Sequence, residues 1–316
     1  MDSALSVAVV IPSWNSAQLL SRCLDSIAAQ DVELELLVVD NGSSDGSLAL
    51  LEERGVEHVA LPRNTGFAAA VNLGVARVRS AAVLVLNADT VLEPGCVAAL
   101  AARLRSDPGL GGVQPRILQL EEGRERDLAA ARVYSAGMAL TRDGRALEEG
   151  AGEAQGPLSG SEREIFGVCG AACLLRRELF DDLGGYDERY FAFYEDVDLN
   201  VRARIAGWRF AYVPEAVVWH VGNASWQAGF SRPSAENARL VARNRVATQA
   251  KFMPLRALPL ILAVEVGALG RAARRRRLRA TLAGKLAALR WLPALLRERR
   301  LLGRQGDLGA ARRWLG

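Results

Sequence analysis

The sequence predicts an α/β fold: a mostly parallel central sheet with helices on both faces, followed by a basic helical tail. Three observations carry this. Strand-like and helix-like segments alternate four times over the first 106 residues, the rhythm of parallel strands joined by crossover helices. The run Val83-Leu84-Val85-Leu86 is apolar at every position, as in a strand buried on both faces. Finally, two strands end in carboxylates, Asp40 and Asp89, at one edge of the sheet, just beyond the strand ends where open α/β sheets hold ligands.

In chain order, Ser6–Pro12 reads as the first strand, ended by Pro12. Asn15-Ser16 opens a helix with Leu19, Leu20, Cys23, Leu24 and Ile27 on one face. Glu33–Val39 is the second strand, ending in Asp40-Asn41-Gly42-Ser43-Ser44-Asp45-Gly46. A helix from Ser47 to about Arg54 and a short strand at Glu57–Leu61 lead to Asn64-Thr65-Gly66-Phe67. The next helix, Ala68–Val78, starts at that glycine, and a helix N-terminus behind a glycine turn suits an anion. The buried strand Ala82–Leu86 runs into Asn87-Ala88-Asp89, a short oxygen-donor pair suited to a divalent cation carrying a phosphate ester. A helix from Pro94 to about Ser106 follows, with proline in its first turn.

Residues 118–164 are polar, glycine-rich and charged, and read as a surface excursion with a hairpin. The small residues of Phe166–Leu175 require close backbone approach. Arg176–Leu183 is a short helix stopped by Gly184-Gly185. The spacing of Val197, Val201, Ile205 and Trp208 predicts a helix over 196–206, with Glu195 and Asp196 at its N-terminus behind Phe191, Phe193 and Tyr194. Phe210–Val213 and Ala216–Trp219 read as two strands split by Pro214, the second ending in His220 before a small polar loop, Gly222-Asn223-Ala224-Ser225. Ala235–Phe252 is a helix carrying Arg243 and Asn244.

Composition narrows the function. The first strand lacks a G-x-G-x-x-G turn and the chain lacks a P-loop, which argues against a dinucleotide or ATP-hydrolysing site. Two histidines and no C-x-x-C pair argue against structural zinc, and the four cysteines read as buried, reduced thiols of a cytosolic protein. The N-terminus has no signal-peptide pattern. The net charge of +4 hides an asymmetry: residues 255–316 hold 15 Lys+Arg and 3 Asp+Glu, a net of +12, leaving 25 against 33, a net of −8, on the rest. Domain organisation therefore divides into a body, 1–252, and a basic amphipathic tail, 253–316. In the tail, Arg274–Arg277 precede leucines at helical spacing, while the longest uncharged run, Ala257–Val264, is far short of a membrane span. An anionic membrane surface is the expected partner of such a tail, and nucleic acid is not expected.

Seven motifs together resemble a family 2 inverting glycosyltransferase with the GT-A fold, in the branch of bacterial rhamnosyltransferases and galactofuranosyltransferases. They are Val9 to Asn15 (notably Ile11-Pro12-Ser13-Trp14-Asn15), Val38-Val39-Asp40-Asn41-Gly42-Ser43, Asn64-Thr65-Gly66-Phe67, Asn87-Ala88-Asp89, Tyr194-Glu195-Asp196-Val197-Asp198-Leu199, Trp219-His220 and Arg243-Asn244. The resemblance covers residues 6–252. It implies that Asp40 holds the pyrimidine of a sugar nucleotide, that Asn64 and Gly66 line its site with Pro12, Asn15, Phe67 and Asn87, and that Arg243 meets the diphosphate or sugar. It further implies Mg²⁺ or Mn²⁺ on Asp89 and His220, and Asp196 as general base with Glu195 beside it. An Asn-x-Asp where the family has Asp-x-Asp removes one carboxylate and weakens the metal site.

The function so implied is metal-dependent, inverting hexosyl transfer from dTDP-L-rhamnose to a glycan or lipid-linked acceptor in cell-surface polysaccharide synthesis, by a cytoplasmic protein peripheral to the inner face of the membrane. Phe67, Phe191, Phe193 and Gly170-Ala171-Ala172 suggest an apolar sugar wall suited to a 6-deoxy sugar. Galactofuranosyl or other UDP-hexose transfer is the alternative. A sugar nucleotidyltransferase needs a basic loop after the first strand, where Ser13-Trp14-Asn15-Ser16-Ala17 has none. A catalytically silent binding protein on this fold fits less well, because Asp89, Asp196 and His220 are all present.

Overall fold

The computed structural model describes residues 5–121, 126–154, 160–221, 234–305 and 314; the predicted loop at 222–225 and most of the 121–126 charge run lie outside them. The first half alternates as expected: β1 (Val7–Ser13), α1 (Ala17–Ala28), β2 (Leu34–Asp40), α2 (Ser47–Glu53), β3 (His58–Ala60), α3 (Phe67–Arg77) and β4 (Ala82–Leu86). Strands β3, β2, β1 and β4 lie side by side and parallel. Successive residues of β1 go to opposite faces. Val7, Val9 and Ile11 join a core with Leu20, Cys23 and Leu24 of α1, whereas Ala8 and Val10 join Ala68, Val71 and Val75 of α3. That is why these strands read as unbroken apolar runs.

Beyond β4 the sheet becomes mixed. A short β5 (Thr90–Leu92) and α4 (Cys96–Ser106) precede β6 (Leu110–Gln119), which the sequence did not reveal. Pro94 lies outside α4, which begins after Gly95 in the left-handed region at φ 74°. The excursion holds β7 (Val133–Ser135), the hairpin β8 (Met138–Leu140) and β9 (Ala146–Glu148), and β10 (Arg163–Ile165). The end of the small-residue stretch 166–175 enters β11 (Ala172–Arg176), which inserts antiparallel between β4 and β6. Then come α5 (Arg177–Leu183), a 3₁₀ turn at Glu188–Tyr190, α6 (Glu195–Ile205) and β12 (Arg209–His220).

β12 corrects the two-strand expectation: it is continuous through Pro214, with its register shifted between Val213 and Val217. Proline lacks the ladder N–H, and a bulge is where a strand tolerates it. β6 escaped notice because Gly111, Gly112 and Pro115 give it no apolar alternation. Glycine is required at 112, where a Cβ would come within 2.5 Å of Leu175 Cδ2.

Among its described residues the tail forms three α-helices rather than one: after α7 (Ala235–Phe252) come α8 (Leu258–Arg274), α9 (Leu278–Leu289) and α10 (Leu292–Gln305). α9 lies against α7 so closely that a Cβ on Gly284 would strike the Arg239 carbonyl. It buries its small residues, Thr281, Gly284 and Ala288, and exposes Leu278, Leu282, Leu286 and Leu289. α8 buries none of its residues and exposes Leu258, Leu260, Leu262 and Val266. No helix of the described residues is long and apolar enough to cross a membrane.

Candidate active site

A cleft of about 1120 Å³ opens at the carboxyl ends of β1, β2 and β4. Its rim on that side is a set of side chain-to-backbone turns. Asn15, at φ 50°, donates its N–H to Ser43 Oγ at 2.9 Å and accepts from the Ser44 N–H at 2.7 Å, locking the loop after β1 to the loop after β2. Asp45 accepts from the Ala17 N–H and the Ser47 hydroxyl, bonds that hold it below the usual carboxylate range against the opposing effect of burial. Asn41 accepts from the Thr65 N–H and donates to the Gly66 carbonyl, and Asn64 accepts from the Gly66 N–H. Gly66, at φ 93°, has no alternative, since a Cβ there would lie 2.5 Å from the Phe191 carbonyl oxygen.

Pro12, Asn15, Asn64, Gly66, Phe67, Asn87, Asp89, Glu195, Asp196 and His220 all line this cleft. Asp40 does not. It is fully buried behind Asn41, with one oxygen accepting from the Ser43 N–H at 2.9 Å and Oδ2 without a partner. Arg243 does not line it either. Its guanidinium donates to the Tyr190 carbonyl at 2.8 Å and sits 4.5 Å from the Trp291 ring centroid. Of the foreseen apolar wall, Phe67, Phe191, Phe193, Gly170 and Ala171 face the cleft, while Ala172 is buried in β11.

His220 ends β12 directly opposite Thr90 of β5, which brings its Nε2 to 3.1 Å from Asp89 Oδ1. Tyr134 packs edge-on against the imidazole, with centroids 4.5 Å apart. His220 Nδ1 is buried without a hydrogen-bond partner. One carboxylate and one imidazole thus converge on the cleft wall. Among the described residues no group of three or more His, Cys, Asp or Glu side chains is placed to hold a metal.

The acidic pair opens α6. The turn before it carries Phe191, Phe193 and Tyr194 at φ between 67° and 70°, a conformation that costs of order 1 kcal/mol or more per residue. Asn244, fully buried in α7, holds that turn by donating to the carbonyls of Tyr190, Ala192 and Phe193 at 2.9, 2.8 and 2.6 Å. The Arg243-Asn244 motif thus buttresses the acidic turn. Asp196 accepts from the Gly170 N–H at 3.1 Å and from the Val197 N–H at 2.8 Å.

Burial raises both acids above the usual carboxylate range, Glu195 well above it, with the neighbouring Asp196 charge pushing Glu195 further up. Burial therefore outweighs the α6 dipole, which favours the anion. Two buried carboxyls side by side share one charge, and Asp196 keeps it because it has two N–H donors while Glu195 Oε2 has none. Asp198 is different. It is fully buried and bonded to Arg202 Nε and Lys251 Nζ, both at 2.6 Å, so it cannot serve the cleft.

Further lining residues were missed: Asn41, Asp45, Tyr134, Glu148, Cys169, Glu236 and Asn237 among them. Asn41 and Asp45 stood in the quoted strand-end loop, whereas Tyr134 and Glu148 come from the excursion, where no pattern singled them out. All four cysteines are free and buried, and burial pushes Cys23 and Cys96 up to about 12.

A parallel half-sheet with a cleft at its carboxyl edge, extended by an antiparallel-containing half, is the GT-A glycosyltransferase fold. Two solved structures share it with this chain. The crystal structure of GalNAc-T7 with UDP, GalNAc and Mn²⁺ matches at TM-score 0.59 and 18% identity, covering 79% of this chain and 51% of that one. The mannosyltransferase PcManGT from Pyrobaculum calidifontis, in complex with GDP-Man and Mn²⁺, matches at TM-score 0.52 and 22% identity, covering 97% and 85%. The chain belongs to the family described as glycosyltransferase like family 2, which matches residues 4–237. A relative in Mycobacterium tuberculosis, the N-acetylglucosaminyl-diphospho-decaprenol L-rhamnosyltransferase, is 32% identical over 235 residues, 67% of this chain and 75% of the relative.

Proposed function

We propose that this protein transfers a deoxyhexose, L-rhamnose from dTDP-L-rhamnose, with inversion to a sugar hydroxyl of a glycan or lipid-linked acceptor in cell-surface polysaccharide synthesis. The observation that carries the reading is the placement of Asp196, whose carboxyl accepts the Gly170 and Val197 N–H groups, in the same cleft as the Asp89–His220 pair. An inverting transfer is one displacement at the anomeric carbon. Asp196 takes the proton of the attacking hydroxyl, and its raised basicity suits that task. The turn held by Asn244 fixes its position.

Asp40, to which the resemblance gives the pyrimidine imide N–H that uracil and thymine share, is fully buried and does not line the cleft, so it carries no part of this reading. Phe67, Phe191, Phe193 and Gly170 form a partly apolar wall that suits a C6 methyl, which needs no hydrogen-bond partner. Identity to the rhamnosyltransferase relative supports that sugar over a galactofuranosyl or other UDP-hexose donor.

The residues present fit a divalent ion. His220 Nε2 lies 3.1 Å from Asp89 Oδ1, so that nitrogen and that carboxylate face one position on the cleft wall. Asp89 and His220 would hold it, and an imidazole in the set favours Mn²⁺ over the oxygen-seeking Mg²⁺. The bound ion would neutralise charge on the leaving diphosphate. Donor profiling tests the reading: release of nucleoside diphosphate is followed with dTDP-L-rhamnose, UDP-glucose, UDP-galactose and GDP-mannose, with Mn²⁺ or with excess chelator. Turnover is expected to vanish in chelator; full turnover there contradicts the metal assignment.

The exposed leucines of α8 and α9, interleaved with Arg271, Arg274–Arg277 and Arg279, support attachment to the anionic inner face of the cell membrane, where a lipid-linked acceptor is presented. Flotation with anionic liposomes should carry the full-length protein and lose a variant with Leu260, Leu262, Leu282 and Leu286 changed to Gln. Equal flotation of both would refute attachment by this surface.

A further inference from the structure

The β8–β9 hairpin delivers a carboxylate that the proposed mechanism does not use. Glu148, at the end of β9 opposite Met138, lines the cleft with Tyr134, Met138 and Cys169. Its Oε2 is buried and has no hydrogen-bond partner. Ser135 and Cys169 side chains serve the carboxyl, yet Oε2 is left without a donor. Ser135 Oγ donates to the Gly137 carbonyl at 3.1 Å and accepts from Gln114 Nε2 at 2.9 Å, and the same Gln114 accepts from the Cys169 N–H at 2.6 Å. A buried carboxyl oxygen facing a cleft without a donor is costly unless a ligand supplies one.

The position also says which ligand. The nucleotide end of the cleft is made by the loops after β1, β2 and β4, whereas Glu148 comes from the segment between β6 and β11. It lies close enough to the base for the Asp196 charge to act on it; burial, and after it that charge, lift Glu148 to about 7 against the lowering effect of the Ser135 and Cys169 hydrogen bonds. A general base must reach the hydroxyl it deprotonates. A group beside the base, on the wall away from the nucleotide loops, therefore meets the acceptor.

We infer that Glu148 determines acceptor specificity, hydrogen-bonding a hydroxyl or amide N–H of the acceptor sugar next to the one that is glycosylated. This rests on the glycosyl-transfer reading but not on its choice of donor. The test compares wild type, Glu148→Gln and Glu148→Ala, using dTDP-L-rhamnose or whichever donor profiling selects. Acceptors are alkyl glycosides of N-acetylglucosamine, glucose, galactose and mannose, and nucleotide release without acceptor is measured alongside.

For the acceptor that wild type uses best, Glu148→Ala should raise KM about ten-fold or more, the scale of one lost buried hydrogen bond to a charged group. Glu148→Gln, which keeps the shape and one acceptor oxygen, should raise it less. Donor KM and acceptor-free hydrolysis should stay within about two-fold of wild type. An unchanged acceptor KM in both variants, or a donor KM that rises with it, overturns the inference. Failure of wild type to release nucleotide from any donor would instead overturn the glycosyl-transfer reading itself.

Discussion

Asp196→Asn should lower kcat by roughly 10²–10⁴ while donor KM stays near wild type. Asparagine keeps the shape of the side chain and can still accept from the Gly170 N–H, so the start of α6 is preserved. What is lost is the proton acceptor. The pH profile should agree in sign. A base whose pKa is raised by burial loses activity, as pH falls, at a higher pH than an ordinary aspartate, and the low-pH limb of kcat disappears in the variant. Near-normal turnover by Asp196→Asn would transfer the role to Glu195, since Asp198 is consumed by Arg202 and Lys251.

The second large effect is on stability. Lys251, 3% exposed, places Nζ 2.6 Å from Asp198 Oδ1, 3.3 Å from Asp187 Oδ2 and 3.2 Å from Glu298 Oε2. Arg189 closes the group onto Asp187 and Glu298 at 2.5 and 2.7 Å. One ammonium thus joins α6, the 3₁₀ turn, α7 and α10. Burial alone would lower the Lys251 pKa, but Asp198 and Asp187 outweigh it and hold it up, so it is charged at neutral pH. Lys251→Met leaves the Asp198 charge buried with Arg202 alone, a loss on the scale of about 3–5 kcal/mol. Denaturant unfolding measures it. A loss below about 1 kcal/mol would mean that the network is solvated and that α10 is held by other contacts. The double variant Lys251→Met, Asp198→Leu should recover part of the loss, because no charge is then left without its partner.

What was legible followed local chemistry. β1, β2 and β4 pack on two cores at once, so their apolar runs are unambiguous, and the loops beyond them must be polar because they leave the sheet. The α6 spacing and the α7 boundaries were equally readable, α6 from Val197, Val201 and Ile205 and α7 from a Ser234 cap that accepts from the Asn237 N–H. β6 was not readable, because its place between β11 and β12 is set by close packing over glycine rather than by side-chain pattern. The long β12 was misread because proline's local preference lost to the bulge that absorbs it. In the tail, leucine spacing gave the helices but not which face docks: α9 is held by its small residues and turns its leucines outward.

The same division runs through the cleft. Strand-end motifs placed Asn15, Asn64 and Asp89 in the cleft, and the start of α6 placed Asp196 there. The tertiary fold alone put Glu148 among them, and it took Arg243 away from the cleft and onto Trp291. A side chain's partner across the fold is not encoded in its neighbours along the chain.

The most direct test of the central claim is the donor profile with Mn²⁺ present. The protein should release nucleotide from dTDP-L-rhamnose at least about ten-fold faster than from UDP-glucose, UDP-galactose or GDP-mannose, the discrimination that roughly 1.4 kcal/mol of transition-state binding provides. A clear preference for a UDP- or GDP-sugar would contradict it.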